Sequence, residues 1–92
     1  MTISKLYDTI CQRRDHADPA DSYTARLIAQ GEDEIVKKVG EEAVEVILAA
    51  KGQGNLRLVE EISDLTYHIL VLMALRGLTP EDIRAELKRR ER

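Results

Sequence analysis

The sequence predicts an all-α fold of four to five helices, with a helical hairpin core completed as a bundle by dimerisation. Three observations predict it. Apolar residues recur at three-to-four-residue intervals through most of the chain. Ala, Leu, Glu, Arg and Lys are abundant, while Trp and Phe are absent and only three Tyr occur, which favours helix over strand and an aliphatic core. A folded chain of 92 residues buries only about 60–65% of the surface its unfolded form exposes, so a core shared between copies would help. Residues 1–92 read as one domain.

The first helix is expected from Thr2 or Ser4 to about Arg13, because Ile3, Leu6, Tyr7, Ile10 and Cys11 fall at helical spacing. Residues 14–21 hold Asp15, Asp18, Pro19 and Asp21 and read as a loop, a candidate lid. Ser22 is placed to cap a short helix through Gln30, which Gly31 would end in a left-handed turn. The third helix should begin at Glu32 or Asp33 and run to Lys51, acids first and lysine last, as the helix dipole favours. Gly40 inside it costs about 1 kcal/mol relative to Ala and asks for a close approach by another backbone or a ligand.

Residues 52–55, Gly-Gln-Gly-Asn, break the pattern and offer Asn55 as the next N-cap, so an antiparallel hairpin is expected. The fourth helix, 56–76, starts amphipathic with Leu58, Ile62 and Leu65, then becomes apolar on almost every side over 69–75. A helix apolar all round is buried all round. So short a chain has few helices to surround it, and this half is expected at a subunit interface. Gly77 ends the helix. Thr79 and Pro80, with Glu81 and Asp82 behind them, start a fifth helix with Ile83 and Leu87 facing inward and a basic end of Lys88, Arg89, Arg90 and Arg92.

A net charge of −3 leaves no global basic footprint of the kind nucleic-acid binding requires. One Cys and two scattered His give neither a disulfide nor zinc-ligand spacing, which points to a reducing, cytoplasmic setting. Cys11 reads as a small core residue. No secretory leader or membrane-spanning run is expected, since the longest apolar run, 69–75, is far below the ~18 residues needed.

The chemistry is expected in two acid clusters. At about 100° per residue, Glu41, Glu42 and Glu45 share an arc of roughly 100°, with Val39, Ala43, Val46, Ile47 and Ala50 on the opposite side. Neighbouring like charges cost about 0.2–0.5 kcal/mol per pair, and a divalent cation would offset that. Glu61 and Asp64 lie three apart on the next helix, and His68 continues their stripe. If the two helices pair antiparallel, five carboxylates converge. Such an all-oxygen set suits Mg²⁺ or Mn²⁺, which keep waters and complete their shell with substrate phosphates. Lys37, Lys38 and Arg57 stand nearby for outer phosphates. The alternative is a solvated acidic face on a non-enzymatic helical dimerisation module.

The pattern Glu41-Glu42-x-x-Glu45 followed by Glu61-x-x-Asp64 resembles the metal signature of the MazG-like all-α nucleoside triphosphate pyrophosphohydrolases. Ser22-Tyr23-Thr24, residues 37–43 (Lys-Lys-Val-Gly-Glu-Glu-Ala), Asp64-Leu65-x-Tyr67-His68 and Arg76-Gly77-Leu78-x-x-Glu81-Asp82 narrow the resemblance to the phosphoribosyl-ATP pyrophosphatases of histidine biosynthesis. The resemblance implies Mg²⁺-dependent hydrolysis of the small molecule phosphoribosyl-ATP to phosphoribosyl-AMP and pyrophosphate, while the apolar 69–75 stretch is what leads to the expected homodimer. Metal binding would then fall to Glu41, Glu42, Glu45, Glu61 and Asp64, with Glu42, Glu45 and Glu61 the candidates for catalysis. Phosphate contact would fall to Lys37, Lys38 and Arg57. Tyr67 and His68 read as core or supporting groups, and Arg76 as a cap for its own helix. Relatives are often fused to a phosphoribosyl-AMP cyclohydrolase domain; no part of it is seen here, so the stand-alone form is expected. A house-cleaning nucleoside triphosphate pyrophosphohydrolase is the rival enzyme.

Overall fold

Three of the five helices begin at a side-chain cap. The computed structural model describes residues 1–91, and Arg92, grouped above with the basic end of the last helix, lies outside the described residues. Five helices are present among the described residues: α1 (Ile3–His16), α2 (Tyr23–Gln30), α3 (Glu32–Gly52), α4 (Gly54–Arg76) and α5 (Pro80–Arg89). Thr2 and Ser22 cap α1 and α2 by accepting from the backbone N–H groups of Lys5 and Ala25. Thr79 and Asp82 form a reciprocal capping box on α5, with Pro80 at its first position.

The core gathers Tyr7 and Ile10 of α1, Leu27 of α2, Ile35 of α3, and Leu70, Val71, Met73 and Ala74 of α4. α3 and α4 form the antiparallel hairpin, α1 and α2 pack around the far half of α4, and α5 lies against α1. Polar ties close the ends. The Tyr7 hydroxyl donates to the Leu78 carbonyl, and Arg76 makes a two-pronged ion pair with Glu32, its Nη2 3.0 Å from Oε2. Arg76 therefore joins the end of α4 to the start of α3 rather than capping its own helix.

Several expectations are corrected. α1 runs three residues past Arg13, because Arg14 donates to the Ala74 carbonyl at 2.7 Å and the basic last turn suits the dipole. Gly31 has a positive φ of 103° but a ψ of 171°, so the chain leaves α2 extended rather than in a left-handed turn. Only Gln53 separates α3 from α4. Gly54 (φ 86°) absorbs the reversal, which leaves Asn55 inside the helix instead of capping it.

The 69–75 stretch is largely covered by the chain's own α1 and α2, with Leu70, Val71, Met73 and Ala74 buried and Ile69 left exposed. The reason is that three other helices, α1, α2 and α3, converge on α4. α5 contributes no buried residue; Ile83 and Leu87 are exposed, and Ile83 borders a hollow of about 340 Å³ shared with Ile3, Ile69 and Met73. No described helix is long and apolar enough to cross a membrane.

Gly77 ends α4 with φ 70° and ψ 18°, its N–H on the Ala74 carbonyl and the Leu78 N–H on the Met73 carbonyl at 2.9 Å. That left-handed Schellman geometry strains any residue with a Cβ. Gly77→Ala is therefore expected to destabilise the protein by about 1 kcal/mol, read in urea as a lower unfolding midpoint with an unchanged slope.

Candidate metal centre

Seven residues make nearly two helical turns, so Ile35, Glu42 and Ala49 share one line along α3. Ile35 and Ala49 are buried, and Glu42 sits half-buried between them, facing α4. The same spacing on α4 aligns Glu61 with His68, both buried, and Asp64 stands between them at the exposed edge. Where the two lines meet, one carboxylate oxygen each from Glu42, Glu61 and Asp64 lie within 4.8 Å of one another.

This reverses the expected orientation of α3. The acids are not grouped opposite the buried stripe. Glu42 is part of the buried line, while Ile47 and Ala50, assigned above to the apolar side, are exposed. The helix has apolar residues on two sides, and the one that packs inward is set by the hairpin partner rather than by hydrophobic weight.

Nor do five carboxylates converge; three do. Glu41 points about 100° away from Glu42 and is exposed, with the Lys37 and Lys38 ammonium groups each 3.9 Å from its oxygens. Glu45 is half-buried one turn beyond Glu42 and lies outside the trio. Lys37 is exposed at the rim, and Lys38 is half-buried. Arg57 turns back along α4, its Nη2 2.7 Å from Glu61 and its Nη1 3.8 Å from Glu60. Its guanidinium supplies the charge partner that a carboxylate only 2% exposed requires.

Burial pushes the Glu42 carboxyl above its ordinary range, and the Asp64 and Glu61 charges push it further, with His68 acting in the opposite sense. A hydrogen bond to Glu61 also favours the protonated form. Three hard oxygen donors crowded in one groove, one of them reluctant to ionise, could hold a metal ion.

Beside the trio stands an aromatic cluster that periodicity did not reveal. The Tyr23 ring on α2 lies 6.2 Å from the rings of Tyr67 and His68, and its hydroxyl is 3.2 Å from His68 Nε2. His68 Nδ1 is 2.8 Å from the Asp64 backbone carbonyl. Thr24 and Tyr67 pair through their hydroxyls, and burial raises the Tyr67 phenol's proton affinity. Tyr67 and His68 thus hold α2 against the metal groove as packed, hydrogen-bonded groups. The signals for Tyr23 were its place directly after the N-cap Ser22 and its membership of the Ser22-Tyr23-Thr24 motif; its partner is 45 residues away.

Residues 3–91 match the family model described as phosphoribosyl-ATP pyrophosphohydrolase. The chain is 56% identical over 88 residues to a phosphoribosyl-ATP pyrophosphatase of Pelotomaculum thermopropionicum, covering 96% of this chain and 89% of that relative. A protein of the same name from Dechloromonas aromatica is 49% identical, over 97% of this chain and 82% of its own length. One from Saccharolobus islandicus is 46% identical over 98% and 95%.

The raised proton affinity of Glu42 carries a pH prediction for the metal-free protein. Folding favours its protonated form, so its contribution to stability is full below the ordinary carboxyl range near 4.3 and is lost as pH rises through the raised value. Glu42→Gln keeps the shape and can still donate to Glu61. In chelator, at pH 7, it is expected to unfold at a higher temperature than the parent, by roughly 0.5 kcal/mol of relieved repulsion, with the difference vanishing near pH 4.

Proposed function

The chain belongs to the phosphoribosyl-ATP pyrophosphohydrolase family, and from that membership we propose that residues 1–92 form one domain that hydrolyses phosphoribosyl-ATP. The products are phosphoribosyl-AMP and pyrophosphate, so the bond that breaks is the anhydride between the α and β phosphates. The setting is the second step of histidine biosynthesis, in the cytoplasm. The observation that carries this reading is the meeting of Glu42, Glu61 and Asp64 in the groove between α3 and α4.

Those three carboxylates would hold Mg²⁺, or Mn²⁺ in its place, because their donor atoms are all hard oxygens and their mutual repulsion favours a cation over a second proton. Bound there, the ion would acidify a water and neutralise charge on the phosphate chain. Glu45, half-buried one turn along α3 and without an ion pair among the described residues, is placed to accept the water's proton. Glu42 and Glu61 are committed to the metal groove. Lys38 and Lys37, with Glu41 between them as their counter-charge, stand at the rim for the outgoing pyrophosphate. Arg57 would exchange its contact with Glu61 for a phosphate oxygen.

The working form is a homodimer. On the side of the hairpin turned away from the acids, Val36, Val44 and Ile47 of α3 and Val59, Ile62 and Ile69 of α4 are 39–61% exposed. Gly40 lies among them, and a Cβ built there meets nothing within 4 Å, so this chain alone supplies no reason for a glycine. A second hairpin packed on this face would bury both rows and make four helices, with Ile69 as the one member of the face drawn from the 69–75 stretch.

Pyrophosphate release from phosphoribosyl-ATP, measured beside a panel of ordinary nucleoside triphosphates, tests the activity. Turnover is expected to stop in chelator and return with Mg²⁺, and to fall roughly a hundredfold or more in Glu42→Gln and Asp64→Asn with helical content unchanged. Preference for an ordinary triphosphate would overturn the substrate assignment, and near-normal activity in both variants would remove the metal groove from the reaction. For the dimer, light scattering should report two copies for the parent and one for Ile47→Glu or Ile62→Glu, each of which places a charge in the shared face.

A further inference from the structure

We propose that the hollow between the last turn of α1 and the start of α2 holds the phosphoribosyl group that the substrate carries on its base, with Arg13 on the phosphate and Asp21 on the ribose hydroxyls. This inference rests on the reading of the substrate given above and assigns a site to its second half.

The hollow measures about 510 Å³ and is lined by Gln12, Arg13 and His16 of α1, by Asp18 and Asp21 of the loop, and by Ser22 at the cap of α2. Arg13 carries the argument. Among the described residues it is the one arginine whose guanidinium makes no hydrogen bond or ion pair: Arg14 is held by Asp15 and the Ala74 carbonyl, Arg26 by the Pro19 carbonyl, and every other by a glutamate. A planar fork of donors left open in a polar hollow matches a phosphate.

The acids in the same wall narrow the class of ligand. One oxygen of the Asp18 carboxylate is taken by the Ala20 N–H at 2.8 Å, whereas the Asp21 carboxylate has no hydrogen-bond or ion-pair partner among the described residues. A lone phosphate would meet two carboxylates as well as Arg13, and a metal ion would meet the guanidinium, so neither suits the whole lining. A sugar phosphate suits it. Its anion answers the guanidinium and its hydroxyls donate to the carboxylates. The His16 ring carries an N–H whether neutral or charged, so the match does not depend on its protonation.

The hollow also lies where the far end of the substrate falls. Ser22 lines it, and the hydroxyl of the next residue, Tyr23, is 3.2 Å from His68 Nε2, whose Nδ1 is 2.8 Å from the Asp64 carbonyl. The first turn of α2 therefore separates the hollow from the carboxylate trio. The triphosphate and the phosphoribosyl group stand at opposite ends of the base, so a ligand anchored at the trio by one needs a second polar site for the other. Ordinary nucleoside triphosphates lack that group. The hollow is thus what tells the substrate from them.

Steady-state kinetics of Arg13→Ala test this, since an exposed arginine without a polar partner can be removed without loss to the fold. KM for phosphoribosyl-ATP should rise roughly tenfold or more, beyond any fall in kcat, while the inhibition constants of pyrophosphate and of ATP, which lack the phosphoribosyl group, stay within about twofold of the parent. Arg13→Lys should recover part of the loss, and Asp21→Asn should raise KM with the same two constants unmoved. An unchanged KM in either Arg13→Ala or Asp21→Asn would overturn the proposal. So would KM rising together with both inhibition constants, the sign of a general loss of charge balance rather than of a lost contact. A parent protein inactive on phosphoribosyl-ATP would instead overturn the functional reading beneath it.

Discussion

Three carboxylates held within 4.8 Å of one another are the constraint on which the rest of this structure depends. Left alone they would force the helices apart. They stay together because the lines of residues that carry them are anchored beyond the acids by apolar contacts, Ile35 and Ala49 on α3 and Leu70, Val71 and Ala74 on α4. The single-residue link at Gln53 fixes the register, which brings Glu42 opposite Glu61 and Asp64 rather than a turn away. Arg57 answers the most buried of the charges at 2.7 Å, and no buried side-chain nitrogen or oxygen among the described residues lacks a partner. Glu42, which like Asp64 has no ion pair among the described residues, has its proton affinity raised by burial and by its acidic neighbours.

How much of this was legible in the sequence follows the range of each interaction. Caps act within three or four residues, so Ser22, Thr79 and Pro80 were readable in place, and Thr2 was one of two candidate starts for α1. The end of α1 was not, because Arg14 is held by a carbonyl 60 residues away. Asn55 was misread as a cap because Gly54 alone could turn the chain, which shortened the loop below the usual minimum. The core of α4 was correctly taken as buried, yet assigned to a partner, since nothing local says that α1 and α2 fold back over it.

The site shows the same division. Spacing on one helix and the expectation of a hairpin were enough to bring Glu42, Glu61 and Asp64 together. They were not enough to place Glu41 and Glu45, because an arc of roughly 100° spans both the inward line and the rim. Resolving that arc needs the angle at which α3 presents itself to α4, and that angle is a tertiary quantity. The Tyr23 contact with His68 was out of reach for the same reason, whereas the family resemblance had placed both residues in shared motifs without saying that they touch.

The inverted packing of α3 links the site to the apolar face behind it. A hairpin that turned its strongest hydrophobic rows inward would be more stable as a monomer and would leave its acids in water, too far apart to share a cation. Here the inward line carries Glu42 between Ile35 and Ala49, and the displaced rows of Val36, Val44, Ile47, Val59 and Ile62 lie outside. Each partly exposed aliphatic side chain forgoes burial worth up to about 1.5–3 kcal/mol when complete, a large fraction of the stability of a domain this size. The carboxylate groove and the exposed apolar face behind it are thus two consequences of one choice of helix face.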